Sequence, residues 1–273
     1  MTARGGEAPR RPRGRPRSRD AGGAPEPIKA LDRGIALLRL LAVEERATLT
    51  NIALEAELTP SSAYRILVTL QGHGLVEFDE ASQEWSVGLE AFRIGTSYLA
   101  RRGLLDVARP VMAELMRSSG ETANLAIADT DEVVFVAQIE SRHPVRAFHG
   151  PGSRGHLHSS GIGKALLAEL APDEVVARLS AKGLPRFTDR TLTDPAALAD
   201  DLALTRARGW SLDDEERHAG MRCIAAVIFD AGGVAIAGVS ISGPTARFAD
   251  DALAALGTRV RSAADEITRR LGG

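Results

Sequence analysis

The sequence predicts an α+β fold in two parts, and three observations carry that prediction. From residue 28 to 71, apolar side chains recur at the three-four spacing of amphipathic helices. From Thr122 the pattern changes to short runs, TANLAIAD, EVVFVAQI and PVRAFHG, which read as strands. Near the end, apolar strands at 221–229 and 234–242 flank an Asp230-Ala231-Gly232-Gly233 turn. Hairpins kept apart from helices indicate an antiparallel sheet.

Charge is unevenly spread along the 273 residues. Residues 1–30 hold seven arginines and Lys29 against Glu7, Asp20 and Glu26, whereas residues 31–100 hold five arginines against ten acids. The segment 1–27 is rich in Arg, Pro and Gly, cannot bury a core, and is predicted to be a disordered basic arm when free. Its Arg13-Gly14-Arg15-Pro16-Arg17 run resembles an AT-hook core, which lays Arg13, Arg15 and Arg17 into a narrow A·T-rich minor groove. A solvated leader is the plain alternative.

Each element then follows in order. The first helix spans 28–45, with Leu31, Ile35, Leu38 and Leu41 as its buried stripe. Thr50 caps a second helix reaching residue 58, with Ile52, Ala53 and Leu58 inward. Thr59 and Pro60 supply an N-cap and a first helical residue for a third, running to 71. That helix buries Ala63, Ile66, Leu67 and Leu70 and leaves Ser61, Ser62, Tyr64, Arg65 and Thr69 outside. Strands at 75–78 and 84–87 complete the unit. Three helices and a hairpin make a winged helix-turn-helix over 28–88, whose third helix reads double-stranded DNA in the major groove. A helical subdomain with a polar face is the bland reading.

A linker helix is expected over 89–103, ending at Arg101-Arg102-Gly103. Pro110 predicts a break or bend in the helix that follows. The second domain, 104–273, adds helices at 163–169, 172–182, 194–208 and 249–271.

The segment 209–244 holds the densest chemistry. Strand parity puts Met221 with Cys223 on one face and Ser240 with Ser242 on another, and if those faces meet they wall a polar pocket beside Asp213. Ser159-Ser160-Gly161-Ile162-Gly163 leads into a helix, whose free N–H groups suit a carboxylate. Asp213 would repel such a ligand unless it accepts a hydrogen bond from a ligand hydroxyl or is itself protonated. Asp213 also reads as an exposed loop acid, and Cys223, the sole cysteine, as a small buried hydrophobe. His156 and His158 share a strand face, but two histidines without a third ligand are a weak metal signal. Asp213, His218 and Cys223 leave open an enzyme acting on small oxo-acids, without a nucleophile elbow or second acid to support it. No catalytic residue, metal or cofactor is expected.

From residue 28 to 272, the segments LDRGIALLRLL, LTPSSAYRILVTLQGHGLVEFD, HSSGIGKALLAEL, RARGWSLDDEE, AGMRCIAAVIFDAGG and GVSISGP resemble the IclR family of bacterial transcriptional regulators. Within it, SGIGKALL, DDEE, RCIAA and SISGP resemble the glyoxylate-responsive acetate operon repressor subgroup. The resemblance implies a winged helix-turn-helix, a linker helix and a GAF-like effector domain, assembled as a homodimer or homotetramer on a pseudo-palindromic operator. It also implies a glyoxylate site made by Gly161 and Ile162 amides, Asp213, Cys223, Ser240 and Ser242, with Met221 in the apolar wall. Relatives that sense aromatic acids supply the alternative effector class. Gly155-His156 stands where the family usually has a bulkier apolar residue and a Pro, and Ala147 where it often has a larger residue, which implies a wider pocket open to a ligand other than glyoxylate. The lone cysteine, together with the lack of an apolar leader or membrane span, fits a cytoplasmic protein.

Overall fold

The computed structural model describes residues 27–100, 103–147 and 149–272. Arg13, Arg15 and Arg17 lie outside them. Two compact units divide the chain between Ile94 and Gly95.

The first unit runs α1 (Lys29–Glu44), β1 (Arg46–Thr48), α2 (Leu49–Glu55), α3 (Pro60–Gly72), β2 (Val76–Asp79) and β3 (Glu84–Val87). Thr59 caps α3, accepting from the Ser62 amide at 3.3 Å, with Pro60 at the first helical position. Ala63 and Leu67 of α3 are buried against Leu37, Leu41, Ile52 and Trp85. Three details differ from expectation. The buried stripe of α1 is Gly34, Leu37 and Leu41, while Leu31 and Ile35 stay exposed. Leu37 and Leu41 pack with Ala63 and Leu67 of α3, and that packing selects the face. The cap of α2 is Thr48, accepting from Asn51, rather than Thr50. Residues 46–48 also add an edge strand, so the wing is a three-stranded sheet in the order β1-β3-β2. A three-residue strand carries too little periodicity to be read in sequence.

In the second unit, α5 (Leu104–Ser119) and α9 (Leu253–Arg270) cover one face of a six-stranded antiparallel sheet. Its strands are β4 (Thr122–Asp129), β5 (Glu132–Ile139), β6 (Arg154–His156), β7 (Ser211–Asp214), β8 (Met221–Phe229) and β9 (Ala235–Pro244), in the order β6-β5-β4-β9-β8-β7. The other face carries α6 (Gly161–Ala168), with α7 (Pro172–Ser180) and α8 (Pro195–Arg208) beyond it. The helix α4 (Leu89–Ala100) precedes α5.

Pro110 does not break α5. It faces solvent, as does Asp106, whose carbonyl loses its helical donor, while Ala108, Val111 and Met112 bury the opposite stripe. Packing of that stripe outweighs one lost hydrogen bond. The run PVRAFHG forms no strand in its described residues, and the edge strand is 154–156 instead. The SLDD segment is a strand, β7, rather than a loop. No described helix is long and apolar enough to cross a membrane.

Candidate effector pocket and DNA-reading helix

β8 and β9 are neighbours in one sheet, not facing layers. Their register sets Cys223 opposite Ser242 and Ala225 opposite Ser240, and β7 sets Asp213 opposite Cys223. Directly opposed residues in an antiparallel pair project to the same side. Asp213, Cys223, Ser240 and Ser242 therefore form one polar patch on the α6 face, correcting the expectation of two faces meeting. Parity separates the first two acids of the DDEE run. Asp213 turns to the patch, and Asp214 turns away to Arg222 and Arg190.

The start of α6 is pressed onto this patch. Ser160 caps the helix by accepting from the Gly163 amide at 3.1 Å. The buried Ser211 hydroxyl donates to the Gly161 carbonyl at 2.6 Å. A Cβ at Gly161 would lie 2.7 Å from the Cys223 sulfur, so only glycine permits this approach. Gly161→Ala is expected to cost about 1–3 kcal/mol of stability through overpacking, measurable as a lowered urea midpoint. The amides of Gly161 and Ile162 belong to the first turn, where no intrahelical carbonyl faces them.

These residues and Met221 border a cavity of about 300 Å³, whose walls include Phe135, Ala147, His149, His156, Arg217 and His218. Phe135 stacks on His149 with ring centroids 4.3 Å apart. The space left by Gly155 is taken up, since a Cβ there would meet Val133 and Phe135. Ala147 borders the cavity as expected.

Burial, reinforced by the Glu216 charge, raises the Asp213 pKa to about 7, while Lys164 pulls it down. Asp213 accepts from the Glu216 amide at 2.8 Å. Burial and the Asp213 charge push the Cys223 thiol up to about 11, against hydrogen bonds with Ser242, Ser240 and the Gly161 amide. His149 is held down to about 4 by burial and by the charges of His218 and Arg217. His158 bonds the Pro185 carbonyl through Nε2 at 3.0 Å, and its ring meets His156 edge-on.

Three participants escaped the sequence reading. Asn124 lies opposite Ser240 and donates to Ser242 at 3.2 Å, and Gln138 donates to Asn124 at 2.8 Å. Lys164 is fully buried in α6, with its ammonium 2.9 Å from Asp201 and in contact with Glu216. Asn124 sits within an apolar strand run, and only the pairing with β9 reveals it. Lys164 carried a readable signal, because a lysine inside the apolar GIGKALLA helix requires a buried partner.

On α3, Ser61, Tyr64, Arg65 and Thr69 are exposed and Ser62 is half-buried. The Ser62 hydroxyl is engaged by Thr59 at 2.9 Å, and the Thr69 hydroxyl donates to the Arg65 carbonyl. Tyr64 meets Trp85 of β3 edge-on. Ile66 and Leu70 are only partly buried.

Two family models match the chain. The IclR helix-turn-helix domain covers residues 30–80, and the bacterial transcriptional regulator IclR C-terminal domain covers residues 96–269. The chain belongs to the IclR family. Among its relatives, the HTH-type transcriptional regulator BhcR of Paracoccus denitrificans is 51% identical over 261 residues, 94% of each chain. The transcriptional repressor IclR of Escherichia coli is 40% identical over 249 residues, 90% of this chain and 91% of that one. Of solved structures, Thermotoga maritima IclR aligns at a TM-score of 0.73 and 28% identity, covering 90% of this chain and all of the other. An IclR homolog from Microbacterium hydrocarbonoxydans, complexed with 4-hydroxybenzoate, aligns at 0.79 and 27% identity over 89% and 98%. This IclR-family chain is a ligand-responsive transcriptional regulator that binds DNA through its helix-turn-helix and a small-molecule effector through its C-terminal domain.

Proposed function

We propose that the effector is a small oxo-acid, with glyoxylate the simplest member, bound between the start of α6 and the sheet. The observation that carries this reading is the convergence of Asp213, Cys223, Ser240 and Ser242 with the Gly161 and Ile162 amides around one cavity. The amides take the acid's carboxylate, and the two serines and the thiol meet its carbonyl or hydrate hydroxyls. Met221 supplies apolar wall. A carboxyl with a pKa near 7 resolves the charge conflict at Asp213, because the protonated form donates to an anion instead of repelling it.

Turnover of the oxo-acid is disfavoured. A thiol with a pKa near 11 supplies almost no thiolate at neutral pH, so Asp213, His218 and Cys223 lack a nucleophile. An aromatic acid is the second reading, favoured by the stacked Phe135 and His149 in the wall and by the 4-hydroxybenzoate bound to the Microbacterium homolog.

On DNA, Ser61, Ser62, Tyr64, Arg65 and Thr69 of α3 meet a pseudo-palindromic operator, read by a homodimer or homotetramer in the cytoplasm. Arg65 is the exposed cation of that helix. Arg13, Arg15 and Arg17 enter the adjacent minor groove. Because residues 31–100 carry twice as many acids as arginines, the arm supplies much of the phosphate attraction. Deleting residues 1–25 should weaken DNA binding and flatten its salt dependence in an anisotropy titration; unchanged affinity and slope would refute this role. For the effector, glyoxylate, pyruvate and 4-hydroxybenzoate titrated by calorimetry decide the class. Heat from the aromatic acid alone would replace the first reading with the second.

A further inference from the structure

Among the described residues, the Arg217 side chain has no acidic partner. It follows Glu216 on the turn between β7 and β8, and its guanidinium lies 3.8 Å from the centre of the Phe187 ring. It is half-buried at the edge of the effector cavity. The other arginines around that cavity are all neutralised, Arg146 by Glu140, Arg154 by Asp129 and Glu132, and Arg222 by Asp214 and Asp250. Among the described residues, the Arg217 amide helps hold Asp213, but no ion pair or hydrogen bond engages its guanidinium. Stacking on one ring occupies the face of a guanidinium and leaves its in-plane N–H fork open.

The cavity is also larger than the simplest effector needs. Glyoxylate fills two or three water volumes of ~30 Å³ each, whereas the cavity measures about 300 Å³. Asp213 is its single acid among the described residues, and His149 beside Arg217 is neutral at physiological pH. A monoacid seated at α6 leaves an unpaired cation and vacant volume in the same cavity.

We infer that Arg217 forms a second anion subsite and that the cavity selects a 2-oxo or 2-hydroxy dicarboxylate. One carboxylate lies on the Gly161 and Ile162 amides, the oxo or hydroxyl oxygen lies on the serine patch, and the distal carboxylate takes the Arg217 fork in a charge-assisted, bidentate contact. The inference rests on the oxo-acid reading and extends it to a longer, doubly charged ligand.

The test is calorimetry on the full-length protein with glyoxylate, 2-oxoglutarate and malate, for the wild type, Arg217→Gln and Arg217→Lys. At least one dicarboxylate is expected to bind about tenfold or more tightly than glyoxylate. Arg217→Gln should weaken that dicarboxylate by about ten- to a hundredfold, as for loss of a charged hydrogen-bonding partner, while shifting glyoxylate less than about threefold. Arg217→Lys should restore part of the loss. Glyoxylate binding without either dicarboxylate overturns this inference and leaves the oxo-acid reading intact. Equal weakening of both ligand types by Arg217→Gln makes Arg217 a loop anchor on Phe187 and also overturns it. No heat from any of the three acids overturns the oxo-acid reading and this inference with it.

Discussion

Lys164→Met is expected to cost the C-terminal domain about 3–5 kcal/mol, the range for stranding one partner of a buried ion pair. The ammonium is fully buried in α6, and Glu216 beside it is almost as enclosed. Burial opposes the ammonium, yet the charges of Glu216 and Asp201 outweigh it and hold its pKa above the usual lysine value. Without that cation, two acids lose their partner, Glu216 in a site that water barely reaches and Asp201 in a half-buried one. The damage extends to the pocket. The Glu216 carbonyl accepts from Thr191 at 2.6 Å and its amide donates to Asp213, so the same residue fixes both the turn and Asp213. Urea unfolding measures the cost, and Lys164→Met combined with Glu216→Gln should recover part of it, because the more deeply buried of the two stranded carboxylates is then uncharged. A loss below ~1 kcal/mol would show that the pair is solvated and structurally idle.

Asp213→Asn is expected to change the pH dependence of both stability and sensing. Since folding raises this carboxyl from 3.8 to about 7, the folded state holds a proton that the unfolded state has released between those values. Stability from this group is therefore complete below about pH 4 and declines as pH rises to about 7, by at most about 4 kcal/mol for three pKa units. Asparagine removes that decline, so the variant should be more stable than the wild type at pH 8 and lack the wild type's slope between pH 4 and 7. Effector affinity follows the same proton. The wild type should bind an oxo-acid more weakly as pH climbs above 7, by up to ~tenfold per unit for one linked proton, and the variant should show little such dependence. Thermal melts and calorimetry across pH 5–8.5 check both. A wild-type affinity that is flat across pH 7 would contradict a protonated Asp213 in the bound state.

Much of this was legible in the sequence, for reasons that are themselves physical. The third helix announced itself because Thr59-Pro60 is a local signal and local signals survive in any tertiary context. β8 and β9 announced themselves through long apolar runs and a glycine turn. The family motifs brought forward residues that border one cavity, but not their geometry. Parity within each strand is fixed by the backbone, whereas which strands are neighbours depends on the whole sheet, so Cys223 and Ser242 were read as facing rather than adjacent. β7 was hidden by its two acids and the two glutamates that follow, although pairing of Asp214 with Arg222 makes that composition sensible. Pro110 misled because its local cost is real, yet the apolar stripe of α5 buries enough to exceed it. The α1 stripe misled because Leu31 and Ile35 also fit a helical spacing, and only packing against α2, α3 and the wing chooses Leu37 and Leu41.

The central claim is that an oxo-acid binds at Asp213 and the serine patch and that this site senses rather than reacts. Calorimetric titration of glyoxylate into the full-length protein and into Asp213→Ala tests it most directly. The account predicts saturable binding by the wild type, with glyoxylate recovered unchanged, and at least a tenfold loss of affinity in a variant that still melts cooperatively. Equal affinity in the two proteins, or consumption of glyoxylate by the wild type, would contradict it.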